Sequence, residues 1–155
     1  HFGNAQEKWL YKHLNRDNSH SFLIKGDQFF GGYHPYESYQ LHHPYSFEKF
    51  LKMVGKLKSP VFFVSGDRHL TEIMEINKPD FAYTTYEMTS SGIHSSVYGG
   101  SYVQYPNKRM LVGVDGENNF TYVNSNLEGK KLLLDITSFG IDRKVLYSKR
   151  LEFKK

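Results

Sequence analysis

The chain predicts an α/β fold with a mixed sheet that ends in antiparallel strands. Three observations carry that expectation. Helix-like and strand-like stretches alternate through the first half of the sequence. Val61, Phe62, Phe63 and Val64 form a short apolar run closed by Ser65-Gly66, the mark of a buried strand. From Arg109 onward, strand-like stretches follow one another, separated by turns that carry Gly116, Gly129 and Gly140. A βαβ portion supplies parallel pairing, and consecutive strands supply hairpins.

The elements follow in order. Asn4 is placed as an N-cap with Glu7 as its capping-box partner, and Ala5, Trp9, Leu10 and Leu14 give a helix over 5–16. Trp9 reads as its core anchor. Residues 15–21 are polar and turn-like, and 22–25 form a strand that runs into Gly26-Asp27-Gln28. Residues 29–45, with Gly31-Gly32, two prolines, four tyrosines and three histidines, lack periodicity and read as a long ordered loop. Ser46 caps a second helix whose apolar stripe is Phe47, Phe50, Leu51, Val54 and Leu57. Pro60 precedes the strand into Ser65-Gly66. Residues 70–76 fit a strand or a helical turn, and 81–88 a strand ending in Thr89-Ser90-Ser91-Gly92. The terminal strands are placed at 110–114, 119–123, 131–136 and 144–153.

With 155 residues the chain is long enough for one domain with a substantial core, 1–155. Twelve Tyr and twelve Phe favour a core of large rings on β-structure. The formal charge of +4 is spread along the chain, with adjacent basic pairs such as Lys130-Lys131 and Lys154-Lys155 but no longer basic run, so a nucleic-acid partner is not expected. The absence of cysteine excludes disulfides, thiolate metal sites and thiol nucleophiles. No apolar run approaches the length of a membrane span. The first residue is His, so the beginning reads as engineered, processed or fragmentary rather than as a translation start.

Chemistry concentrates at Asp67 and His69, just beyond the buried strand. A carboxylate and an imidazole two residues apart, at the carboxyl end of a buried strand, form a pattern that holds metals in α/β hydrolytic enzymes. The plainer alternative is a surface Asp and a surface His on an ordinary loop. Arg68, by side-chain alternation in extended backbone, is expected to point away from the pair and serve packing.

Gln6-x-x-Trp9-Leu10, the strand before Gln28, Tyr45 with the helix at Phe47-Glu48-Lys49-Phe50-Leu51, Ser65-Gly66-Asp67-x-His69, and Tyr86-Glu87-Met88-Thr89-Ser90-Ser91-Gly92 together resemble the C-terminal half of PhoD-like (alkaline phosphatase D) metallophosphoesterases. The later strands, from Asn119-Phe120 onward, resemble that family's terminal strands, so the resemblance covers nearly the whole chain. It implies part of a calcineurin-like α/β/β/α sandwich. It also implies hydrolysis of phosphate mono- or diesters by a metal-activated water, with calcium and iron as the metals. On the same ground Asp67 and His69 fall on a metal-ligand block, and His94 lies on a loop that the family brings near the metal. Relatives of this type are often exported. The Asn-containing and bridging-aspartate ligand blocks of such enzymes have no counterpart here. The resemblance therefore implies a portion that is inactive alone and that associates with an N-terminal half or an oligomeric partner, since half a sandwich exposes sheet edges.

Secondary candidates are Asp27, Gln28 and His94 as substrate-binding groups. For His94 a solvent-exposed loop position is the simpler reading. Ser90 and Ser91 lack a nucleophile elbow, so turn hydrogen bonds are expected of them. His34, His42 and His43 with their tyrosine neighbours read first as a ring-packed surface loop and second as a lid. The rival to an enzyme is a β-rich module that binds carbohydrate or another ligand through Tyr-rich loops. Convergence of Asp67 and His69 on an open cleft favours the enzyme. A closed exposed aromatic platform favours the rival.

Overall fold

The computed structural model describes residues 2–15, 20–129 and 131–154. Helix α1 (Asn4–Leu14) is followed by β1 (Ser21–Ile24), a short helix α2 (Tyr39–His42), helix α3 (Pro44–Val54) and β2 (Val61–Ser65). Then come β3 (Thr71–Ile76), β4 (Thr85–Ser90), one turn of helix α4 (Ser101–Gln104), β5 (Met110–Val114), β6 (Phe120–Glu128), β7 (Lys131–Phe139) and β8 (Val145–Lys154).

Five strands form a mixed sheet in the order β1-β2-β4-β3-β5. β1 and β4 run parallel to β2, whereas β3 is antiparallel to β4 and to β5. Parallel pairing brings the carboxyl ends of β1, β2 and β4 to one edge, with Ile24 beside Val64 and Ser65 beside Thr89. The loops that leave those ends therefore meet above the same edge. β6, β7 and β8 form a separate antiparallel sheet.

Alternation along β2 divides the core. Val61 and Phe63 face the helical side, where they pack with Phe29, Phe30, Tyr39, Phe47, Phe50 and Leu10. Phe62 faces the other way, into Leu134, Ile136, Leu151 and Phe153 of the second sheet. The Phe62 and Phe153 rings meet edge-on at 4.0 Å between centroids. The layers are thus helices, mixed sheet and antiparallel sheet. The outer face of the second sheet carries the Arg150–Asp135 pair and the Thr137–Ser148 hydrogen bond across strands, beside the exposed Tyr122 and the stacked Phe120 and Phe139. The described residues supply these three layers, and the fourth layer of the expected sandwich is not among them.

Several local expectations change. Helix α1 begins at Asn4 behind Gly3, whose φ of 82° suits a residue without a Cβ, and no side chain caps it. Its expected turn 15–21 lies partly outside the described residues, as do Lys130 and Lys155. Helix α3 starts at Pro44 rather than after Ser46, because Pro at the first helical position needs no N–H partner. The long loop holds α2, capped by the Ser38 hydroxyl accepting from the Leu41 amide at 3.2 Å. β4 begins at Thr85, not 81, while β6 and β7 run longer than their periodicity predicted. Trp9 is 58% exposed and stacks on His13 at 4.2 Å, so Leu10 and Leu14 anchor α1 instead.

Candidate functional site

Strand β2 delivers its last residue, Ser65, into the core, where its hydroxyl lies 2.9 Å from that of Thr89. The chain then turns sharply. The Gly66 amide donates to the Gly26 carbonyl at 2.8 Å, and a Cβ at Gly66 would sit 3.0 Å from that oxygen. Only glycine lets the β1 and β2 exits approach so closely. Asp67 and His69 follow with φ of 65° and 53°, in left-handed backbone that costs a non-glycine residue free energy.

These two reversals overturn the alternation expected for an extended segment. Asp67, Arg68 and His69 all line one cleft of about 550 Å³, with Tyr36 and Tyr98 on its walls. Arg68 was expected to point away. It is 9% exposed, its guanidinium lies 4.8 Å from the centre of the Tyr36 ring, and Nη2 donates to the Ser101 hydroxyl at 3.0 Å.

His69 has a defined tautomer. Its Nδ1 lies 2.6 Å from the Ser96 carbonyl oxygen, which only accepts, so Nδ1 carries the hydrogen and Nε2 keeps a lone pair. Tyr98 stacks on the imidazole, with centroids 5.9 Å apart and planes inclined by 10°. The Asp67 carboxylate is exposed and has no hydrogen-bond or ion-pair partner among the described residues. It also borders a second hollow of about 690 Å³, shared with Asp27, Glu37, His42 and His43.

Of the secondary candidates, Asp27 borders that hollow and is ion-paired with Lys25. Gln28 is fully buried and does not line the cleft. Its amide donates to Glu72 at 2.6 Å and to Thr89 at 2.9 Å, and its carbonyl accepts from His34 Nε2 at 2.7 Å. It braces the floor. His94 is exposed on the loop after β4 and does not line the cleft. Ser91 donates to the Leu70 carbonyl at 3.4 Å, a contact to a residue distant in sequence in place of the local turn hydrogen bond expected.

The floor is a buried polar network. Glu72 accepts from Tyr33, Gln28 and Asn107, the last at 3.1 Å. Burial pushes its carboxyl above the usual range, against those three hydrogen bonds. His34 donates to Gln28 through Nε2 and accepts from the Tyr36 amide at 3.1 Å through Nδ1, which fixes a neutral ring. Burial, assisted by the Arg68 charge, lowers its pKa to about 3. The histidine–tyrosine loop is therefore an integral wall, not a bare surface loop. Sequence reasoning missed Arg68, Tyr36 and Tyr98 as cleft residues. The one signal for them was the density of rings on two loops.

Whether this site suits a cation depends on its donors. An unprotonated imidazole nitrogen and a free carboxylate are apt ligands for a borderline or hard ion. No group of three or more His, Cys, Asp or Glu able to hold a metal occurs among the described residues. The pair thus fits part of a coordination sphere.

No helix among the described residues is long and apolar enough to cross a membrane. No protein-family model matches the chain, and no curated protein matches it in sequence. Among solved structures it is similar to one titled "Structure of PhoD", with a TM-score of 0.62 and 13% identity. The match covers 99% of this chain and 35% of that one, so the chain spans about a third of that protein's length. At this identity the likeness is one of fold alone, a mixed α/β architecture.

Proposed function

We propose that residues 1–155 are the C-terminal portion of a PhoD-like metallophosphoesterase domain, hydrolysing phosphate mono- or diesters with a metal-activated water. The observation that carries this reading is the pairing of a tautomer-locked His69 with an unpartnered Asp67 on one cleft at the end of β2. The similarity in fold to PhoD supports it. His69 Nε2 and the Asp67 carboxylate would hold the cation, with calcium and iron as the ions inferred, and further ligands would come from other polypeptide. A bound cation supplies Lewis acidity toward a phosphoryl oxygen and lowers the pKa of a bound water. The chain's own part is to orient. Ser96 fixes the imidazole, Tyr98 stacks on it, and the turn at Gly66 carries Asp67 onto the same cleft.

The reading includes association. β1 is an edge strand, and Phe22 and Ile24 on it are 39% and 73% exposed. An open edge with apolar side chains invites pairing with an N-terminal half or a second copy. Light scattering at rising concentration should show self-association of the chain alone. A monomer throughout that range would count against this part.

The rival aromatic-platform reading needs the rings to gather on the surface. Tyr39 is instead fully buried, and Tyr33 hydrogen-bonds to Glu72 on the cleft floor. The test is metal content and turnover of a chromogenic phosphodiester. With calcium and iron added, the chain alone should give no turnover. In the complete protein, Asp67→Asn should abolish metal retention measured by elemental analysis. Retention equal to the parent's would sink the reading.

A further inference from the structure

We propose that Arg68 is a phosphoryl-anchoring residue of this cleft, taking an anionic oxygen of the substrate through its guanidinium. The proposal rests on the phosphoester reading and deepens it by naming a group that neither metal ligand supplies.

Three observations carry it. First, Arg68 is 9% exposed yet has no carboxylate partner among the described residues. Its neighbour in the turn, Asp67, makes no ion pair with it, and Ser101 offers a neutral hydroxyl. A guanidinium so withdrawn from water without a counter-ion is costly unless an anion completes the site. Second, Nε is buried and has no acceptor. The guanidinium thus lacks an acceptor at Nε among the described residues, and guanidinium donors match the oxygens of a phosphate in pairs. Third, the group is held in place. Its central carbon lies over Tyr36 at 4.8 Å and Tyr33 at 5.9 Å from the ring centres. Tyr33 is itself tied to Glu72 in the floor. The charge is therefore preorganised on the cleft that Asp67 and His69 also line, rather than swinging on a free stem.

Nearby carboxylates do not discharge this role. Glu72 is within electrostatic reach of Arg68, but its oxygens are taken by Tyr33, Gln28 and Asn107 and it makes no ion pair with the guanidinium. Glu37 lines the cleft, but no ion pair joins it to Arg68.

The test is a titration of the metal-free chain with inorganic phosphate, at constant ionic strength, followed by NMR at the Arg68 Nε–H and at the amides of 66–70. A saturable shift of that Nε–H is expected. Arg68→Gln should bind phosphate about tenfold more weakly while its circular dichroism and thermal midpoint match the parent. Arg68→Lys, which keeps charge without the planar fork, should fall between. An Nε–H that phosphate leaves unmoved overturns the proposal whether or not the glutamine variant folds. So does equal phosphate affinity in a folded Arg68→Gln. The two readings fail separately. If Arg68 responds to phosphate but metal retention survives Asp67→Asn, the metal assignment falls and the anchor stands. If metal retention is lost and Arg68 is silent, the reverse holds.

Discussion

Two buried titratable residues beneath the cleft act on stability with opposite signs. His34 has its pKa lowered from 6.5 to about 3, chiefly by burial, so the unfolded chain takes up its proton first as pH falls. Its contribution is complete above about pH 6.5 and is lost progressively toward about pH 3. Glu87 is the reverse. Burial raises it from 4.5 to about 7, against the Phe29 and Phe30 amides that each donate to a carboxylate oxygen at 2.8 Å. Its contribution is complete below about pH 4.5 and is lost as pH rises toward about 7. The two oppose each other between these limits, and below about pH 4.5 the His34 slope stands alone. Urea midpoints measured from pH 3 to 7 should therefore fall on the acid side. His34→Gln should flatten that acid limb. At this scale the sequence located Asp67 and His69 just past a buried strand, and the structure sets both on one cleft, while their metal role stays part of the proposal. It was not readable at Arg68. Alternation is a property of extended backbone, and positive φ on both sides of that residue cancels it.

Among the elements, strand β2 was legible because four apolar residues in a row admit few other readings. Helix α1 was legible in position but misread in its orientation. Large rings are usually buried, and that prior assigned Trp9 to the core. The helix turns Leu10 and Leu14 inward and leaves Trp9 outside against His13. Trp9 is the single tryptophan, so its fluorescence reports this face directly. Iodide should quench the emission of the monomeric chain strongly, and association that covers α1 should protect it. The 29–45 segment was legible as ordered, but not as a wall of the cleft. Its order comes from partners distant in sequence: Glu87 receives its first amides, and Glu72 receives Tyr33. No local pattern encodes such contacts.

At the scale of the molecule, the mixed sheet and the antiparallel ending followed from the order of periodicities. The stacking of one sheet on the other did not, because a strand buried on both faces shows no alternation to reveal two neighbours. Phe62 is the hinge of that packing. It is fully buried and meets Phe153 across the sheets. Phe62→Ala should cost about 3–5 kcal/mol in urea unfolding. It should also loosen the second sheet, read as faster amide exchange in β7, more than it disturbs the helices.

The turn after β2 has a consequence for how this protein would respond to laboratory evolution. Positions 67 and 69 both adopt a shape that glycine takes without strain, yet neither is glycine. Selection for heat tolerance alone would be expected to drift toward glycine or asparagine there and yield a sturdier but chemically mute chain. The residues found in their stead are the kind that ruggedness by itself would not choose.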